Sequence, residues 1–302
     1  MRVAVVGSYG AGLTVRTPRQ PFAGETLIGT GFSQGPGGKG SNQAVAAARL
    51  GAETTFLTAV GPDAFGEEAL ALWQGEGVDA SGVVTITSAQ TMVALIMVEP
   101  SGENRIIIVP GALNHLSPEH VRGFAPQIAA ADVMVVSLEI PLATAIEALK
   151  TAREAGTKTL LNPAPAQPLP DEAWPLIDII TPNRSEAAIL AGLDPDQAAD
   201  PRGIGLDLAS RTMGAVILTL GAEGALLVEA GQATPVPPAP VSHVQDTTGA
   251  GDAFTGALAV AVAAGRPLAE AAAFAAKAGA HAVTIDEVIP SLATLKQLGG
   301  RI

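Results

Sequence analysis

Val244-Gln245-Asp246-Thr247-Thr248-Gly249-Ala250-Gly251-Asp252-Ala253-Phe254-Thr255-Gly256 reads as the end of an extended segment, a glycine turn and the opening of an apolar helix running to Ala264. Gly249 and Gly251 let the backbone turn tightly and bring several N–H groups close to a ligand. The first-turn N–H groups of a helix have no internal partner, so with the helix dipole they attract an anion. Asp252 lies inside that first turn, where an ionised carboxylate is favoured and can accept a proton from a nearby hydroxyl. An anion pocket with a base beside it suits phosphoryl transfer from a nucleotide to an alcohol, which depends mainly on positioning and charge stabilisation. Taken alone, the loop reads more readily as the cap of a core helix, with Asp252 as a dipole partner.

Upstream of this turn, strand and helix patterns alternate from Ser117 onward. Ser117-Pro118-Glu119 is a helix start, with a cap and then proline at the first helical position. Strand patterns at 132–136, 158–161, 177–180 and 215–219 are separated by helical ones at 141–155, 184–191 and 202–213. A hairpin pattern at 224–236 and Ala-rich helices at 250–264 and 268–283 complete the chain. Helix-sized segments between strands imply right-handed crossovers, hence an α/β fold with a doubly wound, mostly parallel sheet and helices on both faces. The whole of 1–302 reads as one domain, without internal repeat or disordered linker.

The N-terminal half is organised differently. Arg2–Gly7 is a short apolar strand, but Gly7-Ser8-Tyr9-Gly10-Ala11-Gly12 has the wrong glycine spacing for a dinucleotide site, and no helix pattern follows at once. Gly35–Gly40 feeds a helix over 41–50 closed by Gly51. It is not a Walker loop, because Ser33 and Gly40 stand where that pattern requires glycine and a hydroxyl residue. Its glycines suit close approach of backbone to a small ligand, with Lys39 and Asn42 supplying hydrogen bonds. A strand at 54–60 and a helix at 64–76 are followed by three runs of β-formers at 83–87, 91–98 and 104–109. Strands without intervening helices predict an antiparallel accessory sheet. With residues 9–34 it would form a small β lid, its second part at 90–110, or else an antiparallel edge on the main sheet.

Several separated stretches carry a resemblance. DTTGAGDAFTG at 246–256 and GPGGKGSNQAVAAARLGA at 35–52 are similar to the two signatures of the ribokinase-like (PfkB) carbohydrate kinases. Between them, LNPAPAQPLPD at 161–171, DIITPNRSEA at 178–187 and ILTLGAEGA at 217–225 resemble ribokinases in particular. The resemblance implies an ATP-dependent kinase acting on the primary hydroxyl of a sugar. It makes Asp252 the catalytic base and the N–H groups of Gly249, Ala250 and Gly251 the anion hole. Gly38, Lys39, Asn42 and Glu139 would face the sugar. Asn183 and Glu186 would organise Mg2+ around the phosphates, largely through water, and Thr219 and Gly221 would lie by the nucleotide. Asp246, Thr248, Ala282 and Ser291 match a monovalent-cation (K+) site. Read singly, Lys39 is a loop lysine, Asn183 and Glu186 begin a helix, and Glu139 is a strand-end charge. A lid of this kind often pairs with its copy, which implies a homodimer.

Two departures from the family pattern bear on substrate and cation. Gly10 and Gly12 stand where the family usually carries Asn and Asp to bind sugar hydroxyls, so a sugar other than ribose is expected. The emptied loop is expected to leave room, with Tyr9 and Arg16 as candidate replacements. Glu287 stands where the family usually has glycine. A nucleoside kinase on the same fold and a non-catalytic sugar-binding regulator are the alternatives. The former needs a stacking wall for a base, and aromatic residues make up only 3% of the chain.

Composition narrows the partners. A formal net charge of −12 opposes nucleic acid and anionic membrane surfaces. The apolar run at 253–265 falls short of the ~20 residues of a membrane span, which predicts a soluble protein. Cysteine is absent, which removes thiolate chemistry and disulfides and fits a cytoplasmic protein. His115, His120, His243 and His281 show no metal-ligand spacing.

Overall fold

The computed structural model describes residues 1–196 and 200–302. In chain order its strands are β1 (Arg2–Val6), β2 (Gly10–Arg16), β3 (Gly31–Gly37), β4 (Glu53–Leu57), β5 (Ala59–Val60), β6 (Val78–Asp79), β7 (Val84–Thr85), β8 (Val93–Val98), β9 (Asn104–Val109), β10 (Val133–Ser137), β11 (Lys158–Asn162), β12 (Ile179–Ile180), β13 (Ala215–Thr219), β14 (Ala225–Glu229) and β15 (Gln232–Val236). The helices are α1 (Lys39–Arg49), α2 (Ala64–Glu76), α3 (Pro118–Gly123), α4 (Ala125–Ala130), α5 (Leu142–Ala155), α6 (Arg184–Leu190), α7 (Pro201–Arg211), α8 (Ala250–Ala263), α9 (Leu268–Ala282) and α10 (Val288–Ser291).

Nine strands form the main sheet in the order β15-β14-β13-β12-β11-β10-β1-β4-β6. All neighbours from β13 to β6 run parallel, and β14 and β15 are added antiparallel. Side chains leave a strand on alternate faces. Val3 and Val5 of β1 therefore enter one core, with α1, α2, α8 and α9, while Ala4 and Val6 enter the other, with α3 to α7. This is the expected doubly wound α/β architecture, with helices on both faces.

Small residues set how closely the layers approach. A β-carbon on Gly256 of α8 would stand 2.6 Å from the β-carbon of Ala46 on α1, and one on Gly40 would stand 2.6 Å from the Cα of Gly7. α1 is thus pressed against the end of β1 and against α8, which brings the two glycine motifs of the sequence to one place. It begins at Lys39, two residues before the expected start, because the break falls at Gly38, whose φ is +92°.

A second sheet of four strands, in the order β3-β2-β8-β9, stands apart from the first. It is mixed rather than antiparallel: β2 pairs antiparallel with β3 but parallel with β8. The chain leaves this sheet through α1 and α2 in the main body and re-enters it in the original direction, so a parallel neighbour results. The expected strand at 83–87 does not join it. Val84–Thr85 instead pairs with Ala59–Val60, where the predicted strand 54–60 breaks at Thr58.

Candidate active site

The parallel strands end on one edge of the sheet, and ligands in open α/β sheets bind beyond such ends. Asp252 is there, fully enclosed in the first turn of α8. Its Oδ2 accepts from Asn42 Nδ2 at 2.8 Å and its Oδ1 from Gln43 Nε2 at 3.1 Å. Burial raises the Asp252 pKa above the ordinary aspartate range, while Lys39 and the two amides pull it back. Lys39 is itself raised, first by Asp252 and then by Glu139 and Glu186, against the effect of burial. One lysine among three carboxylates is the electrostatic centre of the site.

Glu139, just after β10, is tied to the start of α1. Its Oε2 accepts from the backbone N–H of Lys39 at 3.0 Å and from the hydroxyl of Ser8. Ser41 N–H donates to the carbonyl of Ser8 at 2.9 Å. The α1 terminus is therefore largely capped by protein, whereas the α8 terminus is not. At α8 Ala250 N–H donates to Thr247 O at 3.3 Å and Ala253 N–H to Gly249 O at 2.8 Å, but the N–H groups of Gly249, Gly251 and Asp252 have no partner among the described residues. A β-carbon on Gly251 would meet nothing within 4 Å, so open space lies before these donors.

Two buried acceptors point to a ligand. Asn42 Oδ1 and Gln43 Oε1 are enclosed and make no hydrogen bond in the protein. Buried polar atoms are nearly always paired, so an unpaired acceptor beside a carboxylate awaits a donor such as a sugar hydroxyl.

Asn183 and Glu186 bond each other: Glu186 N–H donates to Asn183 Oδ1 and Asn183 N–H to Glu186 Oε2, both at 2.8 Å. This reciprocal cap starts α6, which agrees with the plain helix-start reading of these residues. Burial pushes the Glu186 carboxyl up, against its bond from Asn183, and Lys39 and Asp252 are close enough to influence it. Asn183 also forms a parallel bridge to Thr219, whose hydroxyl is only loosely held by Pro182 O at 3.5 Å. Gly221 follows with φ +61° and nothing within 4 Å of its β-position.

The four cation-site candidates fall on three segments. Asp246 precedes α8 and accepts from Thr248 N–H at 2.8 Å, Ala282 ends α9, and Ser291 is buried in α10. Gln245 N–H joins the first two segments by donating to Val283 O at 2.7 Å. Glu287 has φ 64° and ψ 149°, a backbone region nearly reserved for glycine. Strain there amounts to ~1–3 kcal/mol, partly offset in a glycine variant by its freer unfolded chain. We expect Glu287→Gly to stabilise the fold by about 1 kcal/mol and raise Tm by about 2–4 °C. A scanning-calorimetry Tm equal to or below that of the native chain would show that the turn is not strained.

The neighbourhood of Gly10 differs from expectation. A β-carbon there would lie 2.4 Å from Met92 Cε and 3.0 Å from Met92 O, so Met92 already fills the space thought to be vacant. Gly12 does have room, its nearest neighbour being Gly35 O at 3.6 Å. Neither candidate replacement reaches in. Tyr9 is buried edge-on against Trp73 with its hydroxyl on Phe65 O, and Arg16 is exposed at the far end of β2.

Sequence reading missed Ser8, Gln43 and Asn162, the last accepting from Gln43 at 3.1 Å. Gln43 adjoins Asn42 in the motif, but only the tertiary structure reveals its reach of 209 residues to Asp252.

Comparison with known proteins shows the family. The family model described as pfkB family carbohydrate kinase matches residues 2–295. A ribokinase of Haemophilus influenzae is 39% identical over 285 residues, which cover 93% of this chain and 92% of that protein. A deoxyribokinase of Salmonella typhi is 36% identical over 260 residues, covering 86% and 85%. The solved structure of an Arabidopsis thaliana ribokinase complexed with ribose and ATP superposes with a TM-score of 0.92 at 31% identity, covering 98% of this chain and 97% of that one. The chain belongs to the pfkB family of carbohydrate kinases.

Proposed function

We propose that Asp252 takes the proton from a primary hydroxyl of a sugar while that oxygen attacks the γ-phosphorus of ATP. The P–O bond to the β-phosphate breaks and ADP leaves with the electron pair. The unpaired N–H groups of Gly249 and Gly251 receive the charge on the transferring group, with Asp252's own N–H as a further donor and Ala250 N–H joining once it leaves Thr247 O. Asn42 Oδ1 and the free oxygen of Glu139 hold sugar hydroxyls. Lys39 keeps Asp252 ionised and balances the carboxylates, and Gly38 lets the loop lie on Tyr9, whose Cα would be 2.6 Å from any β-carbon there. The observation that carries this reading is the buried Asp252 beside unpaired donors on one side and an unpaired buried acceptor on the other.

ATP suits a second feature. A cavity of 620 Å³ opens between the 239–242 segment and α9, lined by Val241, Ser242, Lys277, His281 and Thr284. His281 Nε2 is buried without a partner, a polar handle for the edge of a nucleotide base. Thr219 and Gly221 would then flank the phosphates and ribose.

No three of His, Cys, Asp and Glu among the described residues are grouped to hold a metal ion. Mg2+ prefers phosphate and water to a protein cage. Asn183 and Glu186 would position it through water. Bound with the nucleotide, it neutralises charge on the phosphates. Asp246, Thr248, Ala282 and Ser291 would place K+ behind the anion loop.

The second sheet serves as a lid. Its outer face carries Phe32, Leu95, Ile107 and Val109, each between 45% and 67% exposed, and a second copy would cover it. Sedimentation as a monomer at micromolar concentration would remove the dimer. No helix among the described residues is long and apolar enough to cross a membrane.

The deciding assay is ADP release with a panel of sugars, with and without Mg2+, and in K+, Na+ or a large organic cation. We expect turnover to require Mg2+ and to be faster in K+ than in Na+. Equal rates in all cations would refute the potassium site. Sugar binding without ADP release would favour the non-catalytic regulator.

A further inference from the structure

We propose that Arg49, at the opposite end of α1 from the sugar-facing groups, is a positioning residue for the phosphoryl transfer: its guanidinium fixes α10, and α10 holds the anion loop in place. This deepens the kinase reading above and rests on it. Arg49 is the last residue of α1, and its Nε and Nη2 donate to the two oxygens of Glu76, the last residue of α2, at 2.7 and 2.6 Å. Its Nη1 donates to the carbonyls of Ile289 and Leu292 at 2.6 and 2.7 Å. A single planar fork thus joins α1 to both α2 and α10, and both charged side chains are only 20% exposed. The carbonyl of Arg49 accepts from Leu295 N–H at 3.2 Å, so the chain beyond α10 is tied to the same residue.

α10 cannot fix its own position. It has four residues, and a helix of one turn has no stability by itself. The bond from Leu292 N–H to Ile289 O is long at 3.3 Å, whereas both bonds from Arg49 to these carbonyls are short. Yet α10 bears on the reacting groups: Val288, its first residue, stands so close to Gly249 that a β-carbon there would lie 2.6 Å from Val288 Cγ1.

The same turn of α8 is held from α1 a second time, since Asn42 and Gln43 both donate to Asp252. Asn42 and Arg49 lie two turns apart, which puts them on one face of α1. One rigid helix therefore sets both halves of the site: its amides place the base, and its guanidinium, through α10, places the donors of the anion loop. Lysine cannot take over this role. An ammonium carries the charge but cannot span a carboxylate edge and two carbonyls in fixed directions.

The test is ADP release with ATP and the fastest sugar of the panel above, in the native chain, Arg49→Lys, Glu76→Gln, Val288→Ala and the double variant Arg49→Lys with Val288→Ala. We expect Arg49→Lys to lower kcat by about tenfold to a hundredfold, the scale of a small misplacement of the groups that meet the transition state. KM for the sugar should stay within about twofold of native, because ground-state binding uses the other end of α1. Glu76→Gln leaves the two carbonyl bonds in place and loosens the other edge of the fork, so kcat should fall less. Val288→Ala should lower kcat as well, and the double variant should be no slower than the slower single one, because both changes act through one contact. Variants at Arg49 and Glu76 that lower Tm but keep the native kcat, or that lose activity through KM for the sugar, would reduce the clamp to a purely structural one. Losses that multiply in the double variant would show that Arg49 does not act through Val288. If Arg49→Lys fails to fold, Glu76→Gln alone and with Val288→Ala decides by the same criteria. In each of these cases the kinase reading stands; if the native chain itself phosphorylates no sugar, both readings fall.

Discussion

Asp252→Asn is expected to lower kcat by about 10²-fold or more, the scale for losing a general base, while leaving KM for ATP nearly unchanged. Both side-chain oxygens of Asp252 accept from amide NH2 groups, those of Asn42 and Gln43. An asparagine there must turn its own NH2 toward one of them. Relief requires Asn42 or Gln43 to flip and present its unpaired oxygen. If Asn42 flips, the acceptor assigned to the sugar is consumed, so KM for the sugar should rise as well. Near-native turnover in this variant would remove Asp252 as the base.

The pH dependence supplies an independent check. Burial raises the Asp252 pKa, so the acid limb of kcat/KM should lie above the ordinary aspartate range and vanish in the variant. The sign for stability is opposite to that of a salt-bridged carboxylate. A raised folded-state pKa favours folding below the unfolded value, and that contribution is lost as pH rises through the folded value. Native Asp252 therefore costs stability at neutral pH, and removal of its charge should make thermal stability less dependent on pH across that window. An unchanged stability profile would mean that Lys39 fully offsets the burial.

Gly249→Ala is expected to reduce kcat by about 10²-fold, the scale of one lost oxyanion donor, without unfolding the protein. Two penalties act at this residue. Its φ is +79°, where an L-residue costs about 1–2 kcal/mol. A β-carbon would also stand 2.6 Å from Val288 Cγ1. The loop must shift, and with it the free N–H groups of Gly249, Gly251 and Asp252. Adding Val288→Ala removes the collision but not the backbone strain, so the double variant should recover part of the lost activity and not all of it. Turnover within about twofold of native for Gly249→Ala would show that loop position is not critical. Full recovery in the double variant would show that the collision alone mattered. α10 thus acts as a stop behind the anion loop, and the strained turn at Glu287 sets its position.

Much of the fold was legible in the sequence because its signals are local. β1 is a continuous apolar run, as a strand buried on both faces must be, and Ser117-Pro118 and Gly156 mark helix ends through their own backbone preferences. The Asp246–Gly256 and Gly35–Ala52 stretches each name a glycine turn feeding a small-residue helix, and it was the family resemblance they carry together, not either turn alone, that pointed to a phosphate-handling site. Pairing across the chain is a different matter. Whether β2 and β8 run parallel depends on the path taken between them, and no periodicity records that path. The union of Asn42, Gln43 and Asp252 depends on α1 packing against α8 through Gly256. At Gly10 the sequence implied a vacancy, but a side chain 82 residues away occupies it, because β8 places Met92 beside β2. Local chemistry determined which groups the protein carries. Only the packed structure decided which of them meet, since a contact between distant residues is fixed by the closeness of layers and the register of strands.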